Sequence, residues 1–168
     1  MEWRTGDLIN VCKELDADGV VFTANSVICN KNGIRQLVVG SGAALRVKQY
    51  FPDSLPSALA NVVAPGDTFG VTPDYHFAGV TFKRANKPDS PFYVFALQVK
   101  RHFANDGDLQ LAIESLTQLA AWCQDNPDVK LVLNCPLIGL GGFASRAEEI
   151  KGVVEGILRN TNVVVTIL

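Results

Sequence analysis

Fourteen residues, Leu131–Ala144 (LVLNCPLIGLGGFA), set three glycines, Gly139, Gly141 and Gly142, behind an apolar run and place an aromatic residue, Phe143, directly after them. Glycine lets a backbone approach a ligand closely and turn its N–H groups toward an anion. A ring beside such a loop offers a flat apolar surface to a sugar or a base. A phosphorylated nucleotide is the ligand this combination suits. A second glycine turn, Gly40-Ser41-Gly42-Ala43-Ala44, leads into a helical stretch whose N-terminus could assist the same diphosphate. Either turn alone is weak, because a lone Gly-x-Gly is most often only the entry to a helix. Two together, each after a strand-like run, could hold a diphosphate between them. Asn25 ends the run Gly19–Ala24, and its amide both donates and accepts, which suits ribose hydroxyls; a turn-forming Asn bonded to local backbone is the alternative. Asp7 follows Gly6, and its carboxylate could accept from an adenine amino group or simply sit in a surface turn.

These residues need elements that bring them to one place. Gly19–Ala24 (GVVFTA) is β-branched and apolar, which predicts a strand buried on both faces. Leu37–Val39 is a short extension into the Gly40 turn, and Ala43–Phe51 reads as a helix ending near Pro52. Asn61–Thr72, punctuated by Pro65, Gly66 and Gly70, reads as loop or short edge strand. His76–Phe82 and Pro91–Val99 are strand candidates, with the charged stretch Lys83–Ser90 as the hairpin loop between them. Asp108 is an N-cap for an amphipathic helix over Leu109–Gln124, which Asn126-Pro127 ends. Lys130–Cys135 is the next strand, Arg146–Arg159 a second amphipathic helix and Asn162–Leu168 a terminal strand. Strands alternating with helices predict an α/β fold of three layers, α/β/α, around a mixed central sheet. In open α/β sheets ligands bind at the carboxyl ends of the strands.

Composition narrows the function classes. The 168 residues fit one domain, expected to span 1–168, and can bury roughly 70% of the surface the unfolded chain exposes. A net charge of −2 speaks against a broad nucleic-acid or membrane surface, which needs a basic excess. The four cysteines, Cys12, Cys29, Cys123 and Cys135, form no CxxC pair and no zinc-like cluster with histidine, so neither a metal nor a cofactor is expected. Cys135 lies in an apolar run and is expected to be a buried thiol. No apolar run reaches the about 18 residues a membrane span requires, and the acidic start of the chain carries no signal-like apolar stretch. A cytoplasmic location is expected.

In order and context, four pieces of the chain resemble the macrodomain family, whose members bind ADP-ribose. Thr5-Gly6-Asp7-Leu8-Ile9 is similar to the family's early Gly-Asp turn, and Val20-Val21-Phe22-Thr23-Ala24-Asn25-Ser26 to its strand ending in Asn. Gly40–Ala44 resembles its first diphosphate loop, and Pro136–Phe143 its second. The resemblance implies that Asp7 binds the adenine amino group, Leu8 packs by the base and Asn25 contacts the distal ribose. Gly40, Ser41, Gly42 and Ala43 would clasp the diphosphate from one side, and Ile138, Gly139, Leu140, Gly141 and Gly142 from the other, with Phe143 against the distal ribose. The first loop lacks the family's triple glycine, and Asn30–Gln36 lengthens the approach to it. Within the family the chain looks closest to the branch of the terminal ADP-ribose glycohydrolase and the yeast-type ADP-ribose 1''-phosphate phosphatase.

That branch raises the question of catalysis. Phe95–Arg101 is similar to the glycohydrolase strand that carries a catalytic lysine, which makes Lys100 the candidate nucleophile toward the anomeric carbon of a linked ADP-ribose. An amine does this only with a depressed pKa, through burial or a cationic neighbour. Arg101 and Lys83 are the cations expected to supply it; a solvated lysine at a strand end is the alternative. The glycohydrolase also uses an acidic residue in its second loop, and Gly139–Phe143 contains none. A phosphatase acting on ADP-ribose 1''-phosphate would instead position water with Asn25 and the ligand's own phosphate, with His76 and His102 as candidate acid–base groups. Two main readings follow. In one the chain is a hydrolase of ADP-ribose 1''-phosphate or of protein-linked ADP-ribose. In the other it is a non-catalytic reader of ADP-ribose or of ADP-ribosylated partners. A Rossmann-type dinucleotide domain is a third, disfavoured because Leu45 occupies the third glycine position and no acidic residue ends the following segment.

Overall fold

The chain builds its sheet around β2 (Gly19–Ala24), which pairs in parallel with β8 (Leu131–Asn134) on one edge and β7 (Phe92–Gln98) on the other. Five of the six residues of β2 are buried, which is why its sequence is mostly apolar, with only Thr23 partly exposed near its end. The computed structural model describes residues 1–40, 42–64, 66–135 and 146–167. Beyond β8 come β9 (Val164–Ile167) and then β1 (Glu2–Thr5); beyond β7 comes β6 (Phe77–Phe82). The order β1-β9-β8-β2-β7-β6 is parallel except for β6, which runs antiparallel to β7.

Handedness then decides where the helices go. Parallel crossovers are right-handed, so crossovers that step in the same direction along the sheet lie on the same face. The steps β7→β8 and β8→β9 both move toward β1, and their helices α4 (Leu109–Asp125) and α5 (Ala147–Leu158) pack together on one face. The step β1→β2 moves the other way, and α1 (Leu8–Glu14) lies on the opposite face with α2 (Gly42–Tyr50) and α3 (Leu55–Val63). Alternation along β2 feeds both layers: Val20, Phe22 and Ala24 join the core under α1, α2 and α3, whereas Val21 joins the core under α4 and α5. Three layers around a mixed sheet are thus borne out.

Three elements differ from the expectations. Residues 27–37 form a hairpin of β3 (Val27–Lys31) and β4 (Ile34–Leu37), so the lengthened approach to the glycine turn is a two-residue hairpin with its own sheet. Its tip, Asn32-Gly33, has positive φ at both residues, +56° and +83°, the twist a tight hairpin requires. α3 was not expected, and it runs on to Val63, into the stretch Asn61–Thr72 expected to be loop or short edge strand. Leu55, Leu59, Ala60 and Val63 recur at helical spacing and are buried, with Pro56 in the first turn, where its missing N–H costs nothing. β5 (Gly70–Val71), in contrast, is the short edge strand that was one expectation for this stretch, and it pairs with the far edge of β3. β1 and α1 were not resolved by periodicity, because four and seven residues give too few repeats to read a period. Among the described residues no helix is long and apolar enough to cross a membrane.

Close packing across β2 leaves no room at its start. A Cβ added to Gly19 would lie 2.6 Å from the Tyr93 carbonyl oxygen and 2.8 Å from Leu131 Cδ2, whereas one added to Gly40 meets nothing within 4 Å among the described residues. Gly19→Ala is expected to cost about 1–3 kcal/mol of unfolding free energy, as overpacked sites do. Gly40→Ala is expected to leave the urea midpoint close to that of the parent chain. Equal midpoints for both variants would contradict this packing.

Candidate functional site

At the carboxyl ends of β2 and β7 the chain leaves toward opposite faces of the sheet, into the β3–β4 hairpin on one side and toward α4 on the other. The crevice that this divergence opens is the place where open α/β sheets take ligands. A cavity of about 360 Å³ lies there. The end of β2 contributes Thr23, Ala24 and Asn25, and the segment after β7 contributes Val99, Lys100 and Phe103. Gly40, Gly42 and Ala43, at the entry to α2, close it from the helix side.

Asn25 is 7% exposed and its amide is spoken for on both ends. Nδ2 donates to the Val38 carbonyl at 3.1 Å and Oδ1 accepts from the Val27 N–H at 2.8 Å. One N–H and one oxygen lone pair remain for a ligand, so the turn-forming and ribose-binding roles coexist in one side chain. Its own carbonyl accepts from the Tyr75 hydroxyl at 2.7 Å; burial pushes that phenol far above its ordinary range, so it stays a donor. Thr23 is fixed by a second buried asparagine. Asn134, at the end of β8, accepts from the Thr23 N–H at 2.9 Å and donates to its hydroxyl at 3.0 Å.

Lys100 is the one charged side chain in the described lining. Its Nζ donates to the Phe103 carbonyl at 3.3 Å. Gly42 opens α2 with φ +57°, and among the described residues no atom lies within 4 Å of where a Cβ would sit at Gly40 or Gly42. A helix N-terminus, bare glycine backbone and one ammonium group facing a common cavity form an environment for an anion.

Arg101, next in sequence, faces away from this cavity. Its guanidinium spans Asp74 and Asp108, at 2.9 Å from each. Its carbonyl accepts from both the N–H and the hydroxyl of Ser26, at 3.1 and 3.0 Å. Gln98, fully buried, accepts from the N–H groups of Tyr75 and His76 and donates to Asp74. The segment that carries Lys100 is therefore tied to the end of β2, to the loop before β6 and to the N-cap of α4. Its hydrogen bond to Arg101, chiefly, holds the Asp74 carboxyl below the ordinary range; the Leu111 N–H, then Arg101, does the same for Asp108.

The expected residues are sorted by this geometry. Asn25, Lys100, Gly40, Gly42 and Ala43 meet around one cavity. Ser41 and the second loop, Ile138, Gly139, Leu140, Gly141, Gly142 and Phe143, lie outside the described residues; the strand leading into that loop, β8, is the immediate neighbour of β2. Asp7 stands at the same carboxyl pole as the N-cap of α1, accepting from the Asn10 N–H at 3.0 Å, with Arg46 of α2 at 3.4 Å. Leu8 is 3% exposed, within the core under α1. Two expectations need correction. Lys83 is not near Lys100: β6 runs antiparallel to β7, which carries its last residues to the opposite pole of the sheet. Arg101 is not a cation offered to Lys100 either, because two carboxylates neutralise it. Of the histidines, His76 has φ +62° and bonds Glu114 at 3.0 Å, and His102 accepts from the Ala104 N–H; neither lines the cavity. Sequence reasoning missed Thr23, Asn134, Phe103 and the Arg101 clamp. The one available signal was Asn134, a polar residue closing an apolar strand. Among the described residues no cluster of His, Cys, Asp and Glu could hold a metal ion.

No family model and no curated protein matches the chain. Solved structures do. The macrodomain of Thermus aquaticus DarG superposes with a TM-score of 0.69 at 22% identity, covering 99% of this chain and 97% of that one. The macrodomain of Mycobacterium tuberculosis DarG gives 0.67 at 19% identity, over 98% and 95%. A structure of Thermosipho africanus DarTG in complex with ADP-ribose gives 0.58 at 16% identity, over 89% of this chain and 38% of that one. The fold is that of a macrodomain.

The Arg101 clamp has a pH signature. Asp74 and Asp108 have folded-state pKa values below those of the unfolded chain, near 3.9. The stability they contribute is present above that value and is lost as pH falls through the folded values. Arg101→Leu is expected to destabilise the chain at pH 7, and the gap to the parent is expected to narrow below about pH 4. Urea unfolding from pH 7 to pH 2 measures it; a gap independent of pH would show that the clamp acts by packing alone.

Proposed function

We propose that residues 1–168 act as one macrodomain that binds ADP-ribose or a close derivative in the cavity at the carboxyl ends of β2 and β7. The observation that carries this is the convergence of Lys100, the spare valences of Asn25 and the bare backbone of Gly40 and Gly42 on one cavity inside a macrodomain fold. An ADP-ribose complex of a structural neighbour supports the ligand class. In this reading the diphosphate lies against the entry to α2, and the loop 138–143 supplies the second half of the clasp. Asn25 takes the distal ribose, and Asp7 and Leu8 mark the adenine side.

For chemistry, Lys100 is the group to act. Its amine forms a C–N bond at the anomeric carbon of a protein-linked ADP-ribose and gives a proton to solvent. The bond from that carbon to the linking oxygen breaks, its electron pair leaves on the carboxylate, and water later releases the sugar from the lysine. In this reading the chain acts as the glycohydrolase branch does, with an ADP-ribosylated protein as partner. Hydrolysis of ADP-ribose 1''-phosphate, with water positioned by Asn25, is the other enzymatic form. One observation favours a non-catalytic reader instead: the two cations expected beside Lys100 are elsewhere, Arg101 in its clamp and Lys83 at the other pole.

Calorimetry separates these outcomes. ADP-ribose is expected to bind at least about tenfold more tightly than AMP or NAD, a difference of 1.4 kcal/mol. Gly40→Glu, whose Cβ meets none of the described residues, is expected to reduce ADP-ribose affinity at least about tenfold with the thermal midpoint retained. Preference for NAD would overturn the proposal. Incubation with an ADP-ribosylated glutamate peptide and with ADP-ribose 1''-phosphate then tests turnover. If the peptide is cleaved, Lys100→Ala is expected to abolish release while ADP-ribose still binds; cleavage by the variant would remove the lysine mechanism, and no turnover of either substrate identifies a reader.

A further inference from the structure

The sheet has a second crevice, at the opposite pole, that the ADP-ribose reading does not use. It lies between the carboxyl ends of α1 and α2 and the β6–β7 hairpin, and encloses about 460 Å³, within the range of small-ligand sites. Its wall is aromatic. Phe51 lies 5.7 Å from Phe82 with the rings 12° from parallel, and 5.5 Å from Phe92; Tyr50 meets Phe51 edge-on at 5.1 Å. Stacked rings of this kind are a rigid surface with little rotamer freedom to lose on binding. The wall stops at solvent, with Tyr50 47% exposed, so apolar area stays open to water. Behind it Cys12 stays a neutral thiol, because burial, then Asp16 and Asp18, push it up to about 11.

The charges around this wall are unbalanced. Asp16 is taken by Lys87 at 2.9 Å, and Asp18 by Arg84 at 3.1 Å and by the Lys130 N–H at 2.8 Å. Lys13 stands 4.6 Å above the Tyr50 ring, a contact that leaves its charge uncancelled. Lys83 lines the crevice with no ion pair among the described residues. The helix ends here are carboxyl ends, which favour these cations and offer no N–H groups to a phosphate. An occupant must therefore present a flat apolar body to the rings and a single anionic group to lysine ammoniums.

We propose that this crevice binds a small planar aromatic carboxylate, with its ring against Tyr50, Phe51 and Phe82 and its carboxylate between Lys13 and Lys83. The site shares no lining residue with the cavity at Lys100 and lies across the length of β2 from it. The two can be filled independently.

Titration of 1-naphthoate into the isotopically labelled chain, followed by amide chemical shifts, tests this. Saturable shifts are expected at Lys13, Phe51 and Lys83, unchanged by saturating ADP-ribose. The neutral analogue 1-naphthalenemethanol is expected to bind at least about tenfold more weakly, and K13E/K83E, at two exposed positions, to weaken naphthoate by at least about tenfold. Equal affinity for the neutral analogue, shifts confined to the Lys100 cavity, or no saturation by millimolar concentrations would each overturn the proposal. The comparison of the two ligands on the unaltered chain decides it even if the double variant unfolds. Failure of ADP-ribose to bind would leave it intact.

Discussion

Pairing of β2 on both edges with parallel strands is the constraint on which the rest of this molecule depends. A strand so enclosed must be apolar on both faces, which demands a helical layer on each side. The handedness of crossovers then distributes the helices, α4 and α5 on one face and α1 on the other. The same arrangement opens the crevice at the carboxyl ends, because the chain leaves β2 and β7 toward different layers. The candidate site is thus a by-product of sheet topology before it is a matter of particular side chains.

Around that crevice, polar side chains mostly hold backbone. Asn25 closes the turn into β3, Asn134 locks Thr23, and Gln98 with Asp74, Arg101 and Asp108 fixes the segment after β7. Among the described residues no buried side-chain nitrogen or oxygen lacks a partner. A cavity edged by satisfied groups is preorganised: a ligand meets positioned N–H groups and one ammonium without waiting for the walls to order. The arrangement also limits what those groups can do. Arg101 is committed to two carboxylates, and Lys100 stands as the lone described charge in the lining.

Much of this was legible in the residues because it rests on local pattern. The β2 run, the α4 periodicity with its Asp108 cap and the glycine turn before α2 each follow from side-chain spacing, and all fall within a residue or two of their observed bounds. The antiparallel direction of β6, which the hairpin loop Lys83–Ser90 already implies, puts Lys83 and Lys100 at opposite poles, so the expectation that Lys83 assists Lys100 conflicted with that hairpin. What was illegible depends on tertiary contact. Arg101 looked like a free cation because its partners, Asp74 and Asp108, come from separate segments. α3 was hidden by the prolines and glycines around it, and β1 by its length.

The outer edge of the sheet carries a consequence for how the chain reaches this state. β1 pairs with β9, Glu2 against Val164 and Thr5 against Ile167, across nearly the whole length of the chain. β2 with β7, β2 with β8 and β8 with β9 likewise pair over long separations, so loop closure must precede much of the reward. During synthesis the first strand has no partner until the last one has left the ribosome. Until then α1, whose apolar residues Leu8, Ile9 and Val11 belong to the core, is attached to an unclosed edge. Docking of the amino-terminal segment therefore hinges on a contact that spans almost the whole chain.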